Sequence, residues 1–169
     1  MEFSELIVSR YSVRSYKPDP VAKDKLYQIL EAARIAPTAA NRQPFRVIVL
    51  DNKGRKDELK RVYRADWLSD APTVICVCMV PSEGWVRKQD NKNHDEIDAA
   101  IAMDHIILAA TNLGLGTCWI AAFDPDAARE VFNLPENLVP VLLTPLGYPA
   151  DEPAKKTRRP LEEIVSFVR

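Results

Sequence analysis

Two rhythms of apolar positions alternate along this chain. Over residues 23 to 36, Leu26, Ile29, Leu30 and Ala33 recur at the i, i+3, i+4, i+7 spacing that lays an apolar stripe on one side of a helix, and Pro37 stops it. Residues 3 to 9 predict a shorter helix. "FRVIVL" (45–50) and "TVICVCMV" (73–80) are instead short, unbroken and β-branched, the pattern of strands covered on both faces. Between them "KGRKDELKRVYRADW" (53–67) reads as one charged surface helix. Residues 95 to 113 predict the longest helix, apolar on nearly every side from Ile106 to Ala110, so its burial is expected within the domain or against a second subunit. Gly114 is its expected C-cap. "GTCWIAAF" (116–123) reads as a strand. "DPDAAREVFN" (124–133) reads as a helix with Asp124 as N-cap and Pro125 in its first turn, and "LVPVLLTPLGYP" (138–149) as a last strand. The order predicts a layered α+β or α/β fold, with residues 1–169 as a single domain free of repeats.

Composition narrows the classes of partner. The 169 residues carry 23 basic and 24 acidic side chains, a formal net charge of -1, and 47% are hydrophobic. That balance describes an ordinary soluble protein and argues against a nucleic-acid or membrane-surface binder, so any basic patch must be local. No apolar run approaches the roughly 20 residues that span a bilayer, and "MEFSELIVSR" lacks the pattern of a leader peptide, which points to the cytoplasm. Three cysteines, an odd number, do not suggest a disulfide framework.

Most of the tempting motifs do no chemistry. "GLGTCW" (114–119) lacks the third glycine of a dinucleotide fingerprint and stands between helix and strand, whereas that fingerprint stands between strand and helix. Cys76 and Cys78 share one face of a strand, but a zinc site needs four ligands and the only histidines are His94 and His105, so no metal site is expected. The two thiols read as small hydrophobes and His105 as a hydrogen-bonded interior or interface residue.

Three stretches carry more. "SRYSVRSYKP" (9–18) sets Arg10, Ser12 and Arg14 at alternate positions, either as a solvated face or as donors to an anion. "KKTRRP" (155–160) is either a solvated basic loop or a second contribution to the same anion. In "APTAANRQPFRVIVL" (36–50), Asn41 and Gln43 either cap a turn or offer amides to a ligand edge that mixes donors and acceptors.

Taken in order, "SRYSVRSY", "APTAANRQPFRVIVL", "AAIAMDHIILAATNLGLGTCWIAAF" and "LGYPADEPAKKTRRPLEEIV" resemble the nitroreductase family of FMN-dependent oxidoreductases over nearly the whole chain. The resemblance implies an α+β homodimer with a mixed sheet flanked by helices, the long helix at the dimer interface, and FMN held between subunits. It places Arg10, Ser12 and Arg14 at the FMN phosphate, with Arg14 also reaching the flavin's pyrimidine end or ribityl chain, and Lys156 and Arg158 as the late basic pair. Pro37, Thr38, Ala39, Asn41 and Gln43 match the loop that reaches the partner's flavin. Trp119, Ile120 and Ala121 match the strand along the isoalloxazine, with a backbone N–H near Ala121 approaching N5. No side chain is expected to act as acid or base. The implied reaction takes hydride from NAD(P)H and passes electrons to a small nitroaromatic or quinone-like acceptor by a ping-pong mechanism. Azoline oxidation, dehalogenation or non-enzymatic flavin binding are the alternatives on the same scaffold. Two departures stand out: Tyr11 where many members have arginine, and a lid reduced to residues 81–96, from which Trp85 either covers the flavin or lies alone on the surface.

Overall fold

Burial on both faces of one short apolar run organises the molecule. In a computed structural model that describes residues 1–168, the chain forms α1 (Phe3–Ser9), α2 (Lys23–Arg34), β1 (Phe45–Asp51), α3 (Lys56–Val62), α4 (Asp66–Asp70), β2 (Thr73–Met79), a hairpin of β3 (Val86–Arg87) and β4 (Lys92–Asn93), α5 (Asp95–Asn112), β5 (Gly116–Thr117), α6 (Pro125–Val131) and β6 (Val139–Gly147). The main sheet has the order β1-β2-β6-β5, and its ladders are antiparallel. A parallel element enters only as the single bridge from Ser12 to Thr117.

β2 lies inside this sheet, and its side chains alternate between two cores as the pleat requires. Ile75 and Val77 face α2 and α5, where Ile29, Ala33, Met103, Ile106 and Ile107 are buried. Val74, Cys76 and Cys78 face the other way, onto Leu59, Val62, Leu68, Ala128 and Val131. The result is an α+β sandwich of helix, sheet and helix. β1 departs from the expected coverage of both faces: it is an edge strand, Leu50 is its only buried residue, and Arg46 is exposed.

The single charged helix expected over 53–67 is broken at Tyr63, whose backbone is extended. The reason is geometric. Leu68 comes nine residues after Leu59, which on a straight helix is the opposite side, and only a break lets both enter one core. The expected strand over 116–123 is also cut short. After Thr117, the Cys118 N–H donates to Thr144 Oγ1 at 3.1 Å rather than to a strand carbonyl, and beyond that only Ile120 bridges back, to Leu143. Trp119, Ala121 and Ala122 consequently face outward.

α5 ends as expected. Gly114 follows it with a φ of 73°, a conformation glycine adopts without strain, and Leu115 N–H returns to the Ala110 carbonyl at 2.8 Å. One side of α5 is buried in the sandwich, while Ile97 is 47% exposed and Asp104 faces solvent. Among the described residues, no helix is long and apolar enough to cross a membrane.

Candidate functional site

Residues 10–17 are fastened to the sheet on both sides. Val13 N–H donates to the Thr117 carbonyl at 2.9 Å, Lys17 N–H to Tyr148 O at 2.9 Å, and Ala150 N–H to Ser15 O at 2.9 Å. The alternation legible in "SRYSVRSY" acts as it does in a strand: Val13 points into the core, while Ser12 and Arg14 lie on the outer side. Gly116 allows this close packing. A Cβ there would lie 2.6 Å from Val13 Cγ2.

The late basic segment converges on the same place. Lys156 Nζ donates to the carbonyls of Val8 and Arg10, which joins the two ends of the chain. Loss of water and then the neighbouring cations Arg10 and Arg158 hold the Lys156 ammonium below the usual lysine range. Elsewhere basic side chains are neutralised in ion pairs, such as Arg34–Glu31, Arg46–Glu83 and Arg61–Glu130. Among the described residues, none of Arg10, Arg14, Lys156 and Arg158 has a carboxylate within ion-pair distance. Arg14 instead lies over the Trp67 ring at 5.9 Å. Arg10, Lys156 and Arg158 thus stand close together, with Ser12 and Arg14 on the outer side of the neighbouring segment, donors of the kind an anion takes.

Tyr11 does not point into that cluster. Its hydroxyl donates to the Asp151 carbonyl at 2.8 Å and to Asp151 Oδ1 at 3.2 Å, while the Arg14 N–H donates to Asp151 Oδ2 at 2.8 Å. Burial and the Asp151 carboxylate push the Tyr11 hydroxyl up to about 12 from 10.0. Since the folded value lies above the unfolded one, the stabilisation is complete below pH 10 and is lost as pH rises towards 12. Urea titrations of wild type and Tyr11→Phe should therefore differ by a constant free energy below pH 10, and this difference should shrink through that window. A difference independent of pH would show that the hydroxyl does not hold Asp151.

The Pro37–Gln43 loop is the second component. Ala40, Asn41 and Gln43 all have positive φ, 52°, 54° and 53°. For Ala40 this costs about 1–2 kcal/mol, so surrounding bonds must hold the loop in shape. Gln43 N–H donates to Thr38 Oγ1 at 3.0 Å, Arg42 reaches the Gly84 carbonyl at 2.9 Å, and Ala39 N–H donates to the buried Asp98 Oδ1 at 2.9 Å. The side chains of Asn41 and Gln43 stay exposed, with the Gln43 amide resting on Asn41 O at 3.1 Å.

The outward segment after β5 is the third. Ile120 is buried, Trp119 is 39% exposed, and the N–H groups of Ala121 and Ala122 have no acceptor among the described residues. Trp119 shares a hollow with Ile97, Ala100 and Ile101 of α5. On its other side, Ala122 and Phe123 border an open cleft of about 750 Å³ with Tyr63 and Arg64.

Not all predicted residues meet. Arg10, Ser12, Arg14, Lys156 and Arg158 gather beside β5, past the C-terminal end of α5, whereas the Pro37–Gln43 loop is tied to Asp98 in the first turns of that helix. Fourteen residues of helix, about 21 Å, separate Asp98 from Asn112. Within one protomer these are two separate groups of candidate residues. Asp98 and Asp151, which hydrogen-bond the backbones of the two segments, carry no signal in the sequence. Each lies far along the chain from the loop it fixes, and no local pattern marks it.

The side chains set aside as structural behave so. His105 Nδ1 donates to the Ala32 carbonyl at 3.1 Å, and Cys76 and Cys78 are buried with their sulfurs 3.5 Å apart. Trp85 is half-buried against the His94 ring at 5.3 Å. Among the described residues, no group of three or more His, Cys, Asp or Glu is placed to hold a metal ion.

Comparison with known proteins bears on the fold and the family. The model of the nitroreductase family matches residues 7–64 and 54–148. An FMN reductase [NAD(P)H] of Bacillus subtilis is 32% identical over 181 residues, covering 96% of this chain and 72% of its own. An NADH dehydrogenase of Thermus thermophilus is 28% identical, covering 94% and 92%. The crystal structure of a nitroreductase family protein from Clostridium difficile superimposes with a TM-score of 0.90 at 43% identity, covering 99% of this chain and 98% of its own.

Proposed function

The chain belongs to the nitroreductase family and is an NAD(P)H oxidoreductase, and from that premise we propose that it is a homodimer working with FMN on a small nitroaromatic or quinone-like acceptor. The observation that carries this reading is the uncompensated cation cluster assembled from both ends of the chain. A terminal phosphate bears about two negative charges at neutral pH, and Arg10, Ser12, Arg14, Lys156 and Arg158 supply matching donors. The second phosphate and adenosine of FAD have no counterpart among these donors.

The remaining residues fit a flavin as well. When bound, FMN supplies two-electron chemistry that no side chain here can perform. The unpartnered N–H groups of Ala121 and Ala122 would donate to its polar edge and the outward Trp119 ring would lie against its plane, whereas the Ile120 side chain, expected in the same wall, is buried in the core against Leu143. Pro37, Thr38, Ala39, Asn41 and Gln43 are tied to the first turns of α5, away from the basic residues beside β5. On this reading they would serve the partner's cofactor, which makes the working unit a dimer. Light scattering on the FMN-saturated protein should read twice the chain mass.

With FMN held there, the outward face of 119–122 would offer donor and acceptor the same space in turn. A cytoplasmic reaction that draws on NAD(P)H fits this reading. Steady-state rates over a grid of NADH or NADPH against a nitroaromatic or quinone should give parallel double-reciprocal lines. Intersecting lines would mean that both bind together and would contradict the shared space.

A further inference from the structure

Asp98 is the one carboxylate of α5 that reaches out of its helix to a backbone of uncommon shape. It is 2% exposed, Oδ1 accepts the Ala39 N–H at 2.9 Å, and Oδ2 has no partner among the described residues. A carboxylate buried so deeply, with half its hydrogen-bonding capacity unused, is costly to the fold unless it acts on something nearby. Its nearby partner is the loop it holds. Ala40, Asn41 and Gln43 occupy left-handed conformations in close succession, and Ala40 has neither the freedom of glycine nor the local hydrogen bonds of asparagine to favour it.

The neighbours of Ala39 do not explain the loop's shape on their own. Thr38 Oγ1 and Asn41 brace the loop internally, and Arg42 ties its far side to the Gly84 carbonyl of the 81–96 segment. Among the described residues, the Asp98 bond alone ties residues 38–43 to a long helix of the core, α5, which is packed against the sheet over most of its length; the Val80 N–H bond to the Pro44 carbonyl follows just after the loop. The carboxylate also strengthens the bond, since hydrogen bonds to a charged acceptor exceed those between neutral groups.

We propose that Asp98 is a positioning residue: through Ala39 N–H it sets the Thr38–Gln43 loop in the conformation that presents Asn41 and Gln43 to the flavin held at the neighbouring subunit's cation cluster. The proposal rests on the FMN reading above. It adds that the buried carboxylate, rather than the loop's own sequence, determines the loop's contribution to affinity.

The test uses the full-length protein with FMN and four variants. Amide hydrogen exchange of residues 38–43 in the apoprotein reads the loop without any flavin, and fluorescence quenching reads FMN affinity. Asp98→Ala should raise exchange at Ala39 and weaken FMN binding about tenfold, at the lower end for loss of a hydrogen bond to a charged group. Asp98→Asn, which keeps an acceptor oxygen, should restore most of both. Ala39→Pro removes the same hydrogen bond from the other side, leaves Asp98 in place, and suits the first position of the Ala39–Asn41 turn. It should match Asp98→Ala in affinity, and it decides the matter should Asp98→Ala fail to fold. Arg10→Ala separates the two claims. If Arg10→Ala weakens FMN binding while Asp98→Ala and Ala39→Pro leave it unchanged, the positioning role is overturned and the FMN reading stands. Unaltered exchange at Ala39 in Asp98→Ala would overturn the role outright.

Discussion

Replacing Arg10 with alanine should weaken FMN binding by about 1.5–3 kcal/mol, the range for a hydrogen bond to a charged group, which is roughly a 10- to 150-fold rise in Kd. The size follows from the setting. Arg10 is half-buried beside Lys156 and, among the described residues, has no carboxylate at ion-pair distance, so on the proposed reading its removal takes away a phosphate donor that no neighbour replaces. Arg158→Ala should act in the same direction and less strongly, because Arg158 is exposed and more screened. The control is Arg34→Ala, whose guanidinium is closed in a pair with Glu31 at 2.6 Å. Arg129, which as a residue of a surface helix looks like a natural control, is unsuitable: its guanidinium reaches the carbonyls of Pro135 and Leu138, and its loss would loosen the turn after α6. Fluorescence titration of apoprotein with FMN is the measurement. Equal affinity across Arg10→Ala, Arg158→Ala and Arg34→Ala would mean that the cluster is merely a solvated face.

Gly116→Ala is expected to act on fold and site together. The added methyl would sit 2.6 Å from Val13 Cγ2 and 2.9 Å from Val13 Cβ, and Val13, 1% exposed and packed with Tyr16 and Ala71, cannot yield without moving its strand-like segment. Overpacking of this kind costs about 1–3 kcal/mol, which for a chain of this size lowers Tm by several degrees. Because Ser12 and Arg14 flank Val13, the displaced segment should also lose FMN affinity. Gly54→Ala is the informative comparison. Gly54 has a φ of 78° with open space around the missing Cβ, so alanine there should cost stability through backbone strain without touching FMN binding. Thermal unfolding and FMN titration of both variants check this. An unaltered Tm and affinity in Gly116→Ala would show that residues 10–14 are not held by their contact with β5.

The elements whose apolar spacing is regular were legible in advance. The α2 stripe of Leu26, Ile29, Leu30 and Ala33, the doubly covered β2, and the Asp124 side chain capping α6 at 3.0 and 2.9 Å all follow from local rules that the tertiary fold does not oppose. Failures came where a distant group overrode the local pattern. Thr144 Oγ1 takes the Cys118 N–H and ends the strand at Thr117; the demand that Leu68 share a core with Leu59 breaks a good helical sequence at Tyr63. For the site, the basic residues could be recognised by type and spacing, and the structure brings Lys156 onto Arg10 across the length of the chain. Asp98 and Asp151 were invisible because an isolated aspartate in the first turns of a helix, or after a strand, has several ordinary uses. Only the fold shows which one applies.

On the proposed reading, this chain holds FMN where a nicotinamide nucleotide can reduce it with no other substrate present. The most direct measurement is the visible spectrum of the FMN-saturated protein under anaerobic conditions, before and after adding NADH or NADPH without an acceptor. At least one of the two nucleotides should abolish the oxidised-flavin band, and a small quinone or nitroaromatic should then restore it. A protein that takes up no FMN, or one whose flavin band is untouched by both nucleotides, would contradict it.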